Sequence, residues 1–223
     1  MSVSRMRLEQ KREDGEGGTD MGLPDLRNGL TEYNRMLLLY RGALRELSAV
    51  FETLGEEAQF SNRYNPIRFV ESRIKTDESI IRKLQRKGKD ITVDNIRAYV
   101  EDVAGMKVLC RNTTDIYRIA DMISALPNIE VLKEKDYQCD PKMSGYRSYH
   151  MIVAVPVHMA GQVVPTKVEI QIHTLAMDVW AELEYEMSFK NRNAVSEQQL
   201  KELRECADMI QFLDKKMQEL KNI

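Results

Sequence analysis

The chain is poor in cysteine: Cys110, Cys139 and Cys206 are the only three in 223 residues. Their odd number and wide separation provide neither a disulfide framework nor a metal-ligand spacing, so reduced thiols in a cytoplasmic protein are expected. No apolar run approaches the ~20 residues that a membrane helix requires, and the N-terminus lacks the apolar core of a signal peptide. No membrane partner is therefore expected. Net charge is nearly absent as well, since 33 basic and 35 acidic side chains leave −2. That balance gives no ground for a nucleic-acid coat protein. Also missing are the GxxxxGK[ST] phosphate loop, a GxGxxG turn after a strand, and the HExxH zinc motif. His150, His158 and His173 have no zinc-binding spacing.

What is present is mixed helix and strand. Residues 1–24 are charged and glycine-rich and read as a disordered tail, leaving residues 25–223 as a single domain. Over 30–54, Tyr33, Leu37, Tyr40, Leu44, Leu47, Val50 and Leu54 recur at helical spacing, with Gly55 as the expected stop. Asn65-Pro66 is expected to open a second helix carrying Phe69, Val70, Ile74, Ile80, Ile81 and Leu84. The other side of that helix is basic from Arg68 to Lys89, either a solvated face or an anion-binding one. Thr92 is placed to cap a short helix. Strands are expected over 103–110, 129–132, 149–156 and 166–173, and helices over 115–125, 175–189 and 196–222. The last of these has a heptad-like seam from Leu200 to Leu220. The fold class is α+β, a mixed sheet of four to five strands flanked by helices.

The stretch from Lys133 to Thr174 carries the chemistry. Its turn joins a flexible Gly145 to Tyr146, Arg147, Ser148, Tyr149 and His150. The strand after it alternates Glu169 and Gln171 with Ile170 and Ile172, and a carboxylate there is costly unless it meets a metal or a ligand. Asp102, before an earlier strand, either caps a turn or shares a divalent ion with Glu169; Mg²⁺ keeps waters and phosphates in the rest of its shell. Arg73, Lys75, Lys83, Lys135, Lys142 and Arg147 would neutralise a polyphosphate if the fold gathers them. Tyr146 or Tyr149 either packs on the sheet or stacks on a purine. These residues point to a nucleotide-polyphosphate site and leave the reaction open.

Five separated motifs resemble the RelA/SpoT alarmone synthetase domain. They are Arg73-Ile74-Lys75 with Ser79, Asp102-Val103-Ala104-Gly105, Lys135-Asp136-Tyr137, Pro141-Lys142 with Gly145 to His150, and Glu169-Ile170-Gln171-Ile172 with Thr174. Length and closing helices look like the small stand-alone synthetases. The resemblance implies a GTP pyrophosphokinase that moves the β,γ-pyrophosphate of ATP to the 3′-hydroxyl of GDP or GTP. Arg73, Lys75, Ser79 and Lys83 would hold ATP, with Lys107 beside them. Asp102 and Glu169 would bind Mg²⁺, and Glu169 would also be the base. Tyr146 would stack on guanine, and Lys142, His150 and Gln171 would hold the acceptor. The resemblance also implies a homotetramer assembled through helices 30–54 and 196–222. An allosteric cleft at Phe69, Ser72 and Asp178 would receive (p)ppGpp or single-stranded RNA. Lys107 and His173 stand where relatives carry arginine, Asp178 where they carry asparagine, and Tyr185 where histidine is common. Two alternatives stay open: the same transfer to a tRNA 3′ end or an adenine nucleotide, or a weakly active nucleotide- or RNA-binding regulator.

Overall fold

A computed structural model describes residues 26–190 and 196–221, so the expected tail over 1–24 lies outside the described residues. Helix α1 (Leu26–Asn62) buries Met36, Leu39, Tyr40, Ala43, Leu44, Leu47 and Phe51 along one stripe. Gly55 does not end it. A Cβ at that position would stand 2.7 Å from the Asn65 amide, so the glycine lets the following loop fold back on the helix.

Residues 65–88 do not form the single helix expected of them. Asn65 accepts the Ile67 N–H at 2.8 Å and launches strand β1 (Ile67–Ile74). Helix α2 (Asp77–Arg86) begins only at Thr76, whose hydroxyl accepts the Ser79 N–H at 3.4 Å. The β-branched Ile67, Val70 and Ile74 suit a strand, and pairing beside a buried neighbour decides between the two periods. The split matters for function: it parts the basic run into Arg73 on a strand, Lys75 in a turn and Lys83 on a helix.

Helix α3 (Val93–Tyr99) starts at the Thr92 cap, as expected. Strand β2 (Ala104–Cys110), helix α4 (Thr113–Ser124) and strand β3 (Glu130–Asp136) follow. Strands β4 (Tyr149–Met159) and β5 (Gln162–Thr174) form a long hairpin. Two helices close the chain, α5 (Leu175–Lys190) and α6 (Glu197–Lys221).

The sheet has five strands in the order β1-β2-β5-β4-β3, with β2 and β5 parallel and every other pair antiparallel. On one face Met106, Val108, Met151, Val153, Val168, Ile170 and Ile172 are fully buried and share a single apolar cluster with α1 and α4. The opposite face presents Arg73, Lys107, His150, Glu169 and Gln171 by the two-residue alternation of the strands. On that side, Tyr146, Trp180, Leu203 and Ala207 form a second, smaller cluster. Only the first half of the α6 seam is used in this way: Leu203 and Ala207 are buried, while Leu213, Met217 and Leu220 are exposed. Among the described residues no helix is long and apolar enough to cross a membrane.

Candidate active site

Asp102 sits in the turn just before β2. Lys75 Nζ approaches one of its oxygens at 2.9 Å and Lys83 Nζ the other at 2.8 Å. Burial alone would raise this carboxyl, but the two ammonium groups outweigh it and hold Asp102 below the usual carboxylate range. The turn is fixed by backbone, since the Lys75 N–H donates to the Val103 carbonyl at 2.8 Å. Arg73 lies over Gly105 on the neighbouring strand, and Ser79 stands in the first turn of α2. The residues expected to meet ATP are thus gathered by β1, α2 and the start of β2.

Lys107 belongs to the same face and is already engaged. Its ammonium lies 2.8 Å from Asp178, 3.4 Å from Glu71 and 3.6 Å from Glu182. Burial would lower the ammonium, and the three carboxylates more than reverse that, raising it. Glu71 and Glu182 did not stand out in the sequence. Glu182 follows Asp178 by one helical turn, and that spacing is the signal that could have pointed to it. Lys107 and Asp178, read separately as departures from the family pattern, are partners.

Glu169 is largely buried. Burial would raise its carboxyl, as does the charge of Asp102, yet His150 and the Gln171 amide prevail and hold it below the usual range. His150 Nδ1 stands 3.5 Å from one oxygen, and Gln171 Nε2 donates to the other at 2.7 Å. The Asp102 charge is among the influences on Glu169, and both carboxyls are held below the usual carboxylate range. Two hard oxygen donors beside the lysine ammonium groups fit a Mg²⁺ that takes its remaining ligands from water and substrate. Among the described residues no third acidic, histidine or cysteine ligand joins them, which suits that mode and not a closed protein cage.

The acceptor set lies across β4. Tyr146 is only 6 % exposed, packed with Trp180 and edge-on to His150, His173 and Tyr137. The Lys142 ammonium sits over its ring, 4.1 Å from the centroid. His173 is 1 % exposed; burial, with the charges of His150, Lys107 and Lys142, pushes its imidazole down to about 3. It is therefore neutral near pH 7. The Phe69, Ser72 and Asp178 set is only partly gathered. Phe69 shares the alternation of Arg73, on the side of Lys107 and Asp178, whereas Ser72 alternates with Val70 and Ile74 on the core side.

A family model described as "Region found in RelA / SpoT proteins" matches residues 72–194, more than half of the chain and all of the site strands except the start of β1. The chain belongs to the RelA/SpoT family. Within it, the chain is a small alarmone synthetase. It is 37% identical over 195 residues to the GTP pyrophosphokinase YwaC of Bacillus subtilis, covering 87% of this chain and 93% of that one. To YjbM of the same organism, also a GTP pyrophosphokinase, it is 32% identical over 85% of this chain and 89% of that one. The crystal structure of small alarmone synthetase 2 from Bacillus subtilis superposes with a TM-score of 0.78 at 37% identity, covering 86% of this chain and 98% of that chain. Small alarmone synthetase 1 from the same organism, bound to its product pppGpp, gives 0.78 at 31% identity, covering 86% and 97%. The mixed five-stranded sheet flanked by helices is the fold of these enzymes.

Proposed function

We infer that this synthetase is a GTP pyrophosphokinase acting through the face just described. ATP lies over Arg73, Lys75, Ser79 and Lys83. GDP or GTP lies against Lys142, Tyr146, His150 and Gln171, with its 3′-hydroxyl at Glu169. The observation that carries this reading is the pair of ionised carboxylates, Asp102 and Glu169, set between a cationic donor side and an aromatic acceptor side. Glu169 takes the 3′-hydroxyl proton. The freed oxygen bonds to the β-phosphorus of ATP, the bond from that phosphorus to the α,β-bridging oxygen breaks, and AMP leaves with the electron pair. Mg²⁺ held by Asp102 and Glu169 would supply charge neutralisation on the phosphates. Lys75 and Lys83 exchange Asp102 for phosphate oxygens as the nucleotide arrives, so their charge is pre-positioned at the donor site. Stacking on Tyr146 contributes ~1–3 kcal/mol to acceptor binding.

We further propose a cytoplasmic homotetramer, supported by the exposed apolar seam on α6 and by the length of α1. Phe69 and Asp178 are the residues left to receive a (p)ppGpp or single-stranded RNA effector. Glu71 and Glu182 beside them disfavour any such polyanion. Incubation with ATP, Mg²⁺ and either GDP or GTP, with and without added pppGpp, is expected to yield AMP and a guanosine tetra- or pentaphosphate. Glu169→Gln should abolish turnover at an unchanged melting temperature. Absence of transfer to every guanine nucleotide would overturn the reading.

A further inference from the structure

Tyr146 touches the acceptor site in two places. One face of its ring lies under the Lys142 ammonium, and its hydroxyl reaches His150 Nε2 at 2.8 Å. The other imidazole nitrogen, Nδ1, stands 3.5 Å from Oε1 of Glu169, while Gln171 donates to Oε2 at 2.7 Å. His150 and Gln171 sit opposite each other in the β4–β5 pair, and Glu169 precedes Gln171 on the same face. Both oxygens of the carboxylate therefore have a partner, and one of those partners is itself held by a phenol.

The hydrogen-bond arithmetic selects one tautomer of the neutral ring. In the neutral ring, a tyrosine O–H that donates to Nε2 leaves the proton on Nδ1, facing the carboxylate. In the other tautomer a lone pair on Nδ1 would face Glu169 and repel it. The phenol so decides which end of the imidazole meets the base. An equivalent relation is general at metal and catalytic histidines, where the bond at one nitrogen sets what the other can do.

We propose that Tyr146 is a positioning residue for the transfer as well as the stacking surface for guanine: through His150, its hydroxyl orients the Glu169 carboxylate toward the acceptor 3′-hydroxyl. This rests on the pyrophosphokinase reading above. Base recognition and base catalysis then share one side chain. Stacking requires only that the exposed Lys142 swing aside, and the hydroxyl end of Tyr146 stays in place. His150 holds the carboxylate aimed.

The titratable groups that bear on Glu169 are the His150 imidazole from β4 and Asp102 from the turn before β2. Those around His150 are Tyr146, the Tyr137 ring at 5.1 Å, and Lys135, its cross-strand partner on β3. Removing the phenol leaves all of these except the tautomer restraint.

Tyr146→Phe keeps the ring and removes only the hydroxyl. The expected result is a kcat lower by about tenfold with the KM for GDP or GTP nearly unchanged. His150→Gln should lower kcat to a similar degree. The double variant should then be no slower than His150→Gln alone, because the hydroxyl acts through the imidazole. An undiminished kcat in Tyr146→Phe, a raised acceptor KM at constant kcat, or effects that multiply in the double variant would each overturn the proposal. A second readout does not need turnover. Imidazole ¹⁵N shifts of the resting protein should show the Nδ1–H form of His150 in the wild type and a tautomer mixture in Tyr146→Phe; the same mixture in both sinks the idea. If the wild type transfers to no guanine nucleotide, the functional reading fails, and the spectrum still decides the tautomer.

Discussion

At the scale of single residues, the acceptor turn is held by a close approach that only glycine allows. Gly145 has φ +92°, and a Cβ on it would come within 2.6 Å of the Ala207 Cβ on α6. Gly145→Ala is expected to lift the turn from α6, raising the acceptor KM about tenfold while the KM for ATP holds. Ala207→Gly in that background should restore only part of the loss, because the clash goes and the strained dihedral stays. His173 gives a stability prediction. Its imidazole is held down at about 3 against an ordinary 6.5, so the neutral ring is favoured in the folded state. The corresponding stability is complete above pH 6.5 and is lost as pH falls from there toward 3. The slope in that window is up to about 1.4 kcal/mol per pH unit. Urea midpoints measured from pH 7.5 to 4.5 should fall less steeply for His173→Gln than for the wild type. The presence of a histidine at 173, where relatives carry arginine, was legible in the sequence. The burial of Tyr146 was not, because a Gly-Tyr turn between charged residues reads the same whether or not a distant helix covers it.

Among the elements, α6 is the one whose position the acceptor turn depends on. Arg204 donates to the Met143 carbonyl at 3.2 Å, Leu203 and Ala207 pack on Tyr146, and the Trp180 indole donates to the Leu203 carbonyl at 2.9 Å. Farther along, Asp214 accepts the Thr174 hydroxyl at 2.7 Å with one oxygen, and its other oxygen has no partner among the described residues. Thr174 in turn caps α5 by accepting the Met177 N–H at 3.2 Å. Burial, only partly offset by Thr174, raises the Asp214 carboxyl. A raised acid contributes most below its unfolded value and loses that contribution as pH rises through the folded one. Asp214→Asn keeps the Thr174 bond and removes the charge, so it should stabilise the protein at neutral pH by about 1 kcal/mol, or ~2–4 °C in Tm. Calorimetry at pH 5 and pH 8 should show the gain growing with pH. At this scale the sequence was informative for β2, β4, β5, α3 and α5, whose patterns agree with their surroundings. It misled at β1, where apolar residues at mixed spacings fit a helix as well as a strand. The Thr76-Asp77-Glu78 start signal, a capping hydroxyl followed by acids, was the local cue that the helix begins at Asp77 and not at Pro66.

For the molecule as a whole, the two halves of the proposed nucleotide site lie on adjoining parts of one sheet, β1 with β2 for the donor and β5 with β4 for the acceptor. Neither half is a contiguous motif. The sequence therefore showed the participants, and only the parallel pairing of β2 with β5 shows how Asp102 and Glu169 become neighbours. Outside the site, Met209, Phe212, Leu213 and Leu220 leave an apolar stripe along α6, joined in exposure by Leu175, Val179 and Leu183 on α5. Stripes of this kind on a charged surface mark association between subunits. Phe212→Glu is expected to shift the mass measured by light scattering to a smaller species. A mass unchanged across micromolar concentrations would count against the α6 seam as the contact. The placement of Trp180 has an experimental dividend. It is the only tryptophan in the chain, buried between α5 and α6 with its ring 6.1 Å from that of Tyr146. Its intrinsic fluorescence is thus a label-free optical reporter, and loop release, guanine entry and subunit exchange can each be timed by stopped flow without adding a dye.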